Sequence, residues 1–239
     1  MHEVRMERVE GVLVLELSRS KKRNAINFTM FESLADALTN ADTDERVRAV
    51  LLCGAGDDFC AGHDLEAFAQ WPQAPGDPVP RFLHALAGLR KPLVVAVQGW
   101  AVGIGATALL HADWVIASPE CCLRFPFIEL GIAPEAGSSL LLARAVGSLR
   151  ARQLLLEGSA IDAATAHAWG LVTELAAVDQ LRASAVTRSK ALAAKSPAGF
   201  GRIKDWLASD VQLHDRIDEE IAAINHAVLA RRKAEGVKS

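Results

Sequence analysis

Apolar residues alternate with polar ones on either side of Glu10-Gly11 in residues 4–20, which predicts a β-hairpin closed by that turn. KKRNAIN (21–27) then reads as a loop, and Asn27 is placed to cap a helix over FTMFESLADALTNAD. Two runs rich in β-branched residues follow, AVLLCGAGDDFCAGHDL (49–65) and PLVVAVQGWAVGIGATALL (92–110). Each predicts a strand, a glycine-bearing loop and a helix that starts directly after the loop. Strand and helix in alternation argue for parallel strands joined by crossovers. Shorter strands are expected at WVIAS (114–118) and GLVTELA (170–176), the second after a helix capped by Asp162 and ended by Gly170. WPQAPGDPVP (71–80), dense in proline, reads as a linker that forms a mobile loop near the site. From about residue 178 the period is helical only, which suggests a separate packing or oligomerisation layer.

The 239 residues suit one large α/β domain, or a domain plus an appendage. No apolar run approaches the ~20 residues of a membrane span, and the opening MHEVRMERVE is charged, so the expectation is a cytoplasmic protein without membrane contact. With 26 basic against 29 acidic residues, the chain offers nucleic acid no general attraction. The basic run ARRKAEGVK (230–238) reads as a solvated helix end. Cys53, Cys60, Cys121 and Cys122 form no disulfide framework, since an adjacent pair points to opposite faces of a strand, and no zinc site is expected. Without tyrosine, the acid–base and oxyanion chemistry must come from other groups.

The chemistry is concentrated in the two glycine loops and in FPFIELGIAPEAGSS (125–139). An open helix start presents N–H groups that lack an intrahelical partner, and two such starts brought together would stabilise a developing oxyanion. Glu135 adds one carboxylate between a proline and a small-residue turn. GIGATA (103–108), with Glu120 beyond it, also fits a dinucleotide fingerprint. Against that stand glycines that do not directly follow LVVAV and a helix short for a crossover.

RNAIN (23–27), FCAGHDL (59–65), KPLVVAVQGWAVGIG (91–105), LRFPFIELGIAPEAGSS (123–139) and AHAWGLVTE (166–174), in this order and spacing, resemble the crotonase superfamily, the enoyl-CoA hydratase/isomerase family. The resemblance implies a ββα spiral core over residues 1–190 that carries an acyl-CoA site, and a C-terminal helical trimerisation region over 191–239. A homotrimer or a dimer of trimers would result. It implies catalysis on acyl-CoA thioesters, with coenzyme A as part of the substrate and no separate cofactor or metal. The two oxyanion donors would be the His63 and Ile104 N–H groups. Arg23, Asn24, Ala25, Ala61, Gly62, Asp64, Leu65 and Gly103 would line the coenzyme A path, with Arg23 toward the phosphates. Family hydratases use two glutamates, and the matching positions here hold Thr107 and Phe127. The glutamate directly after proline, Glu135, resembles instead the Δ3,Δ2-enoyl-CoA isomerases. One glutamate suits that reaction, as proton shuttle, and apolar neighbours such as Phe127 and Ile132 would strengthen it as a base. The alternatives are a hydratase or another crotonase-type lyase, or a non-catalytic homologue that binds acyl-CoA or RNA. Glu129 is expected to face solvent or a structural partner. ARRKAEG resembles only faintly the family's terminal stretch over coenzyme A, which implies a more open site.

Overall fold

The computed structural model describes residues 3–207 and 212–235, so the basic run at 230–238 is covered as far as residue 235. The expected hairpin forms from β1 (Val4–Val9) and β2 (Val12–Leu17), with Glu10 and Gly11 both at positive φ in the turn. A helical turn at Ser20–Lys22 leads to α1 (Phe28–Thr43), whose first turn is capped by Asn27 through Met30 N–H at 2.9 Å. Then come β3 (Ala49–Gly54), the single turn α2 (Leu65–Phe68), α3 (Pro78–Gly88) and β4 (Leu93–Val97). These are followed by β5 (Trp100–Val102), α4 (Ile104–Thr107), β6 (Trp114–Ala117), β7 (Cys122–Arg124) and α5 (Phe127–Leu130). The rest is α6 (Ser138–Val146), α7 (Ser148–Glu157), β8 (Ala160–Asp162), α8 (Ala163–Ala168), β9 (Glu174–Leu175), α9 (Val178–Ala193), α10 (Pro197–Leu207) and α11 (Gln212–Ala234).

Six strands form one sheet in the order β1-β2-β3-β4-β6-β9, parallel apart from the hairpin. A second sheet, β5-β7-β8, stands apart. Because side chains alternate across a strand, β2, β3 and β4 have two buried faces. Leu15, Leu17, Val50, Leu52, Val95 and Val97 join α1 and α3 in the main core, while Val14, Leu51 and Val94 meet Leu181 and Ala185 of α9. This α/β architecture is the one expected, and the tail beyond residue 178 is helical among the described residues. The expected division at residues 190 and 191 falls within α9.

Three local expectations are corrected. The second apolar run is two strands in different sheets, β4 and β5. Gly99 turns the chain between them at φ +55°, so close to Asp57 that a Cβ would lie 2.2 Å from its carbonyl oxygen. Residues 71–80 are no loose linker. Trp71 is fully buried, Gln73 is buried, and Pro78 opens α3, where a missing N–H costs no helix bond. The strand read over 170–176 shrinks to Glu174–Leu175: Gly170 ends α8 at φ +84°, and Leu171 and Val172 go into the core.

Candidate active site

Two loops come together first. Cys60 N–H donates to Trp100 O at 3.0 Å and Val102 N–H to Cys60 O at 2.9 Å, so residues 60 and 101 pair as parallel strands. Past that bridge the two chains stay close at Gly62 and Gly103, just ahead of His63 and Ile104. A Cβ on Gly103 would stand 4.0 Å from Gly62 Cα, and one on Gly62 only 3.0 Å from Val102 O. Both glycines are at positive φ, +98° and +53°. Only a residue without a Cβ takes this backbone at so close an approach without strain. The His63 and Ile104 N–H groups donate to no acceptor among the described residues. Ile104 turns its side chain into the core beside Leu34, Phe59 and Phe82, which leaves its N–H side clear.

Glu135 comes from a third segment. Gly131 ends α5 at φ +64°, and Ala136 and Gly137 follow Glu135 at φ +62° and +66°. This turn carries the carboxylate inward, to 2% exposure. There Glu135 Oε2 lies 2.8 Å from His63 Nε2, a contact between residues 72 apart in sequence. With Glu135 ionised, the ring proton sits on Nε2 and donates to it. Glu135 Oε1 and His63 Nδ1 are both buried without a protein partner. Three aromatic rings enclose the imidazole: Phe31 at 4.8 Å, Trp71 at 5.6 Å and Phe68 at 5.9 Å between centroids. The sequence placed His63 and Glu135 in one site but not in contact. Nothing in it marked Phe31, Phe68 and Trp71, since Trp71 opens a proline-rich stretch whose composition suggests a surface loop.

Two more groups hold the Glu135 turn, and no local sequence signal marked either. His111 Nε2 lies 2.8 Å from Ala136 O, and burial pushes this imidazole down to about 4, which keeps it neutral and donating. Glu220 of α11 accepts from Gly137 N–H at 2.7 Å and Ser139 N–H at 3.0 Å. Burial pushes the Glu220 carboxyl up to about 7, against the pull of those N–H groups. Thr107 and Phe127 are buried, with the Thr107 hydroxyl unpartnered. Glu129 is exposed and paired with Arg124 at 2.7 Å, the structural partner anticipated.

The residues expected along coenzyme A lie together, though several side chains are already engaged. Ala61 N–H donates to Arg23 O, Ile26 N–H to Gly62 O and Asp64 N–H to Ile26 O, so the 23–27 and 61–65 loops are laced together. Arg23 is exposed but paired with Asp58 at 2.6 and 3.0 Å. Asn24 is fully buried and donates to Ala55 O and Asp58 O, so its amide holds the loop. Asp64 caps α2 and pairs with Arg19. Burial opposes its charge, and these partners outweigh burial and hold the carboxyl below its ordinary range. Ala25 accepts from Arg19 through its carbonyl, while Leu65 stands exposed at the start of α2. Gly103 opens α4, a single turn that ends in the 3-10 turn Ala108–His111, not the crossover helix that a dinucleotide site needs. Among the described residues, no three His, Cys, Asp or Glu gather as metal ligands.

Comparison with known proteins identifies the family. The sequence profile of the family Enoyl-CoA hydratase/isomerase matches residues 7–237. A 1,2-epoxyphenylacetyl-CoA isomerase of Escherichia coli is 37% identical over 84% of this chain and 79% of its own length. A 2,3-dehydroadipyl-CoA hydratase of the same organism is 30% identical over 100% of this chain and 95% of its own. Among solved structures, an enoyl-CoA hydratase/isomerase from Pseudoalteromonas atlantica superposes with a TM-score of 0.92 at 33% identity, covering 99% of this chain and 98% of that one. The profile match over nearly the whole chain, with relatives of both activities, makes this protein a member of the enoyl-CoA hydratase/isomerase family, the crotonase superfamily, and an acyl-CoA enzyme of that family.

Proposed function

We propose that the chain shifts a double bond from C3–C4 to C2–C3 of an enoyl-CoA thioester, with Glu135 as the proton shuttle. The observation that carries this reading is the buried Glu135 carboxylate in contact with His63, whose N–H, like that of Ile104, meets no acceptor among the described residues, while the positions of the hydratase glutamates hold Thr107 and Phe127. The His63 and Ile104 N–H groups receive the thioester oxygen, with coenzyme A running along residues 61–65 and 102–105. Glu135 removes a proton from C2, and negative charge flows onto that oxygen as the dienolate forms. The protonated Glu135 then gives the proton to C4, the electron pair returns, and the double bond is left at C2–C3. Because His63 Nε2 occupies Oε2, Oε1 is the atom that carries the proton.

A panel of 3-enoyl-CoA and 2-enoyl-CoA thioesters, with positional isomers resolved from hydration products, tests the reading. Isomerisation of 3-hexenoyl-CoA is expected, with Glu135→Gln retaining acyl-CoA affinity and losing on the order of 10²-fold or more in kcat. Efficient hydration of crotonyl-CoA without isomerisation would overturn it in favour of the hydratase chemistry named for the 2,3-dehydroadipyl-CoA relative.

A further inference from the structure

We propose that Glu220, on the C-terminal helix α11, is a positioning residue for Glu135: its carboxylate grips the opening N–H groups of α6 and so fixes the turn that aims the base. The inference rests on the reading of Glu135 as the base.

One hydrogen bond closes the turn from within, Ser138 N–H to Glu135 O at 3.0 Å, and it leaves the Gly137 and Ser139 N–H groups unsatisfied. Gly137, at the N-cap of α6, has no side chain to cap the helix, so open N–H groups there must find an acceptor elsewhere. Ala136 adopts φ +62°, a conformation that strains a residue with a Cβ and persists only where the surroundings impose it. Glu220 supplies both missing acceptors, one oxygen to Gly137 N–H, 83 positions earlier in the chain, and the other to Ser139 N–H, 81 positions earlier. His111 holds Ala136 O as well. Glu135 therefore projects from a turn held at residues 136, 137 and 139, one to four positions from its own Cα.

α11 is itself fastened to both walls of the site. Ile217, Ile221 and Ile224 are buried in the core. Asn225 exchanges two hydrogen bonds with the Gln73 main chain, at 3.0 and 2.8 Å, two residues past the Trp71 ring that packs on His63. Arg232 donates to Ala69 O on that wall, and Arg231 to Leu130 O on the Glu135 wall. One helix thus sets both the aromatic enclosure of His63 and the turn beneath Glu135. A cap serving stability alone needs only a local Ser or Asp at the helix start. Here a buried acid reaches in from a distant helix, at a cost in desolvation seen in its displacement to about 7, to which the nearby Glu135 charge adds a smaller part.

Two variants in the full chain separate aiming from stability. Glu220→Gln keeps the size and one acceptor oxygen, and Glu220→Ala removes both. Expected, in protein shown folded by circular dichroism, are kcat losses on the order of tenfold for Gln and 10²-fold for Ala, with KM within about twofold. The His63 ring-nitrogen NMR resonances, which report the Glu135 contact without turnover, should shift in both. Wild-type kcat together with wild-type His63 resonances in Glu220→Gln would overturn the proposal, as would a loss confined to KM. Should Glu220→Ala fail to fold, the Gln variant decides. Should the wild type isomerise nothing, the function assignment falls, and the His63 resonances still decide whether Glu220 places Glu135.

Discussion

In the proposed function His63 acts twice, through its main chain and through its ring. The His63 N–H belongs to the backbone and survives any substitution except proline, whereas the Nε2 contact to Glu135 belongs to the side chain. His63→Ala is therefore expected to leave acyl-CoA affinity within a few-fold and to lower kcat about tenfold or more, because a buried carboxylate loses its partner and its orientation. His63→Gln, whose amide can donate to Glu135, should recover part of the loss, and steady-state kinetics of the two variants check both statements. Glu135 was legible in the sequence because a glutamate after proline, ahead of small residues, is a local pattern. Its partner was not, because two residues 72 apart meet only through the pairing of Cys60 with Ala101 and the turn at Ala136.

At the scale of elements, the site depends on how closely two loops can approach. Gly62→Ala puts a Cβ 3.0 Å from Val102 O at a backbone φ of +98°, which forces the loops apart. The variant should lose about 1–3 kcal/mol of stability in urea unfolding. It should also lose more activity than stability explains, since the His63 N–H moves with the loop. The hairpin, the Asn27 and Asp162 caps and the main strands could be read from the chain, because period and capping are local physics. Residues 71–80 could not: proline and glycine content predicts a surface loop, but Trp71 is buried by contacts with Phe68 and His63 that sequence order does not announce. The break between β4 and β5 was hidden for a similar reason. Gly99 looks like one glycine among several until Asp57 is seen against it.

For the molecule as a whole, two buried groups beside the Glu135 turn make stability depend on pH in opposite senses. His111 is held near 4 against an ordinary 6.5, so the folded state resists its protonation. The stability that this neutral ring contributes is complete above about 6.5 and is lost as pH falls through 4. Urea unfolding of wild type against His111→Asn, which does not titrate, should show wild type losing ground across that interval. Glu220 works the other way: displaced upward to about 7 from 4.5, it disfavours the folded state progressively as pH rises between those values. The fastening of α11 has a further consequence, for synthesis. The contacts from Asn225 to Gln73 and from Arg232 to Ala69 span 152 and 163 residues, and Glu220 reaches back 83 to Gly137. A nascent chain grows from its N-terminus at about 5–20 residues per second, so the main strands, His63 and Glu135 leave the ribosome while α11 is still in the exit tunnel. On the roles proposed for Glu135 and Glu220, such a chain carries the base without the contact that aims it, and turnover of acyl-CoA is expected only once α11 has docked.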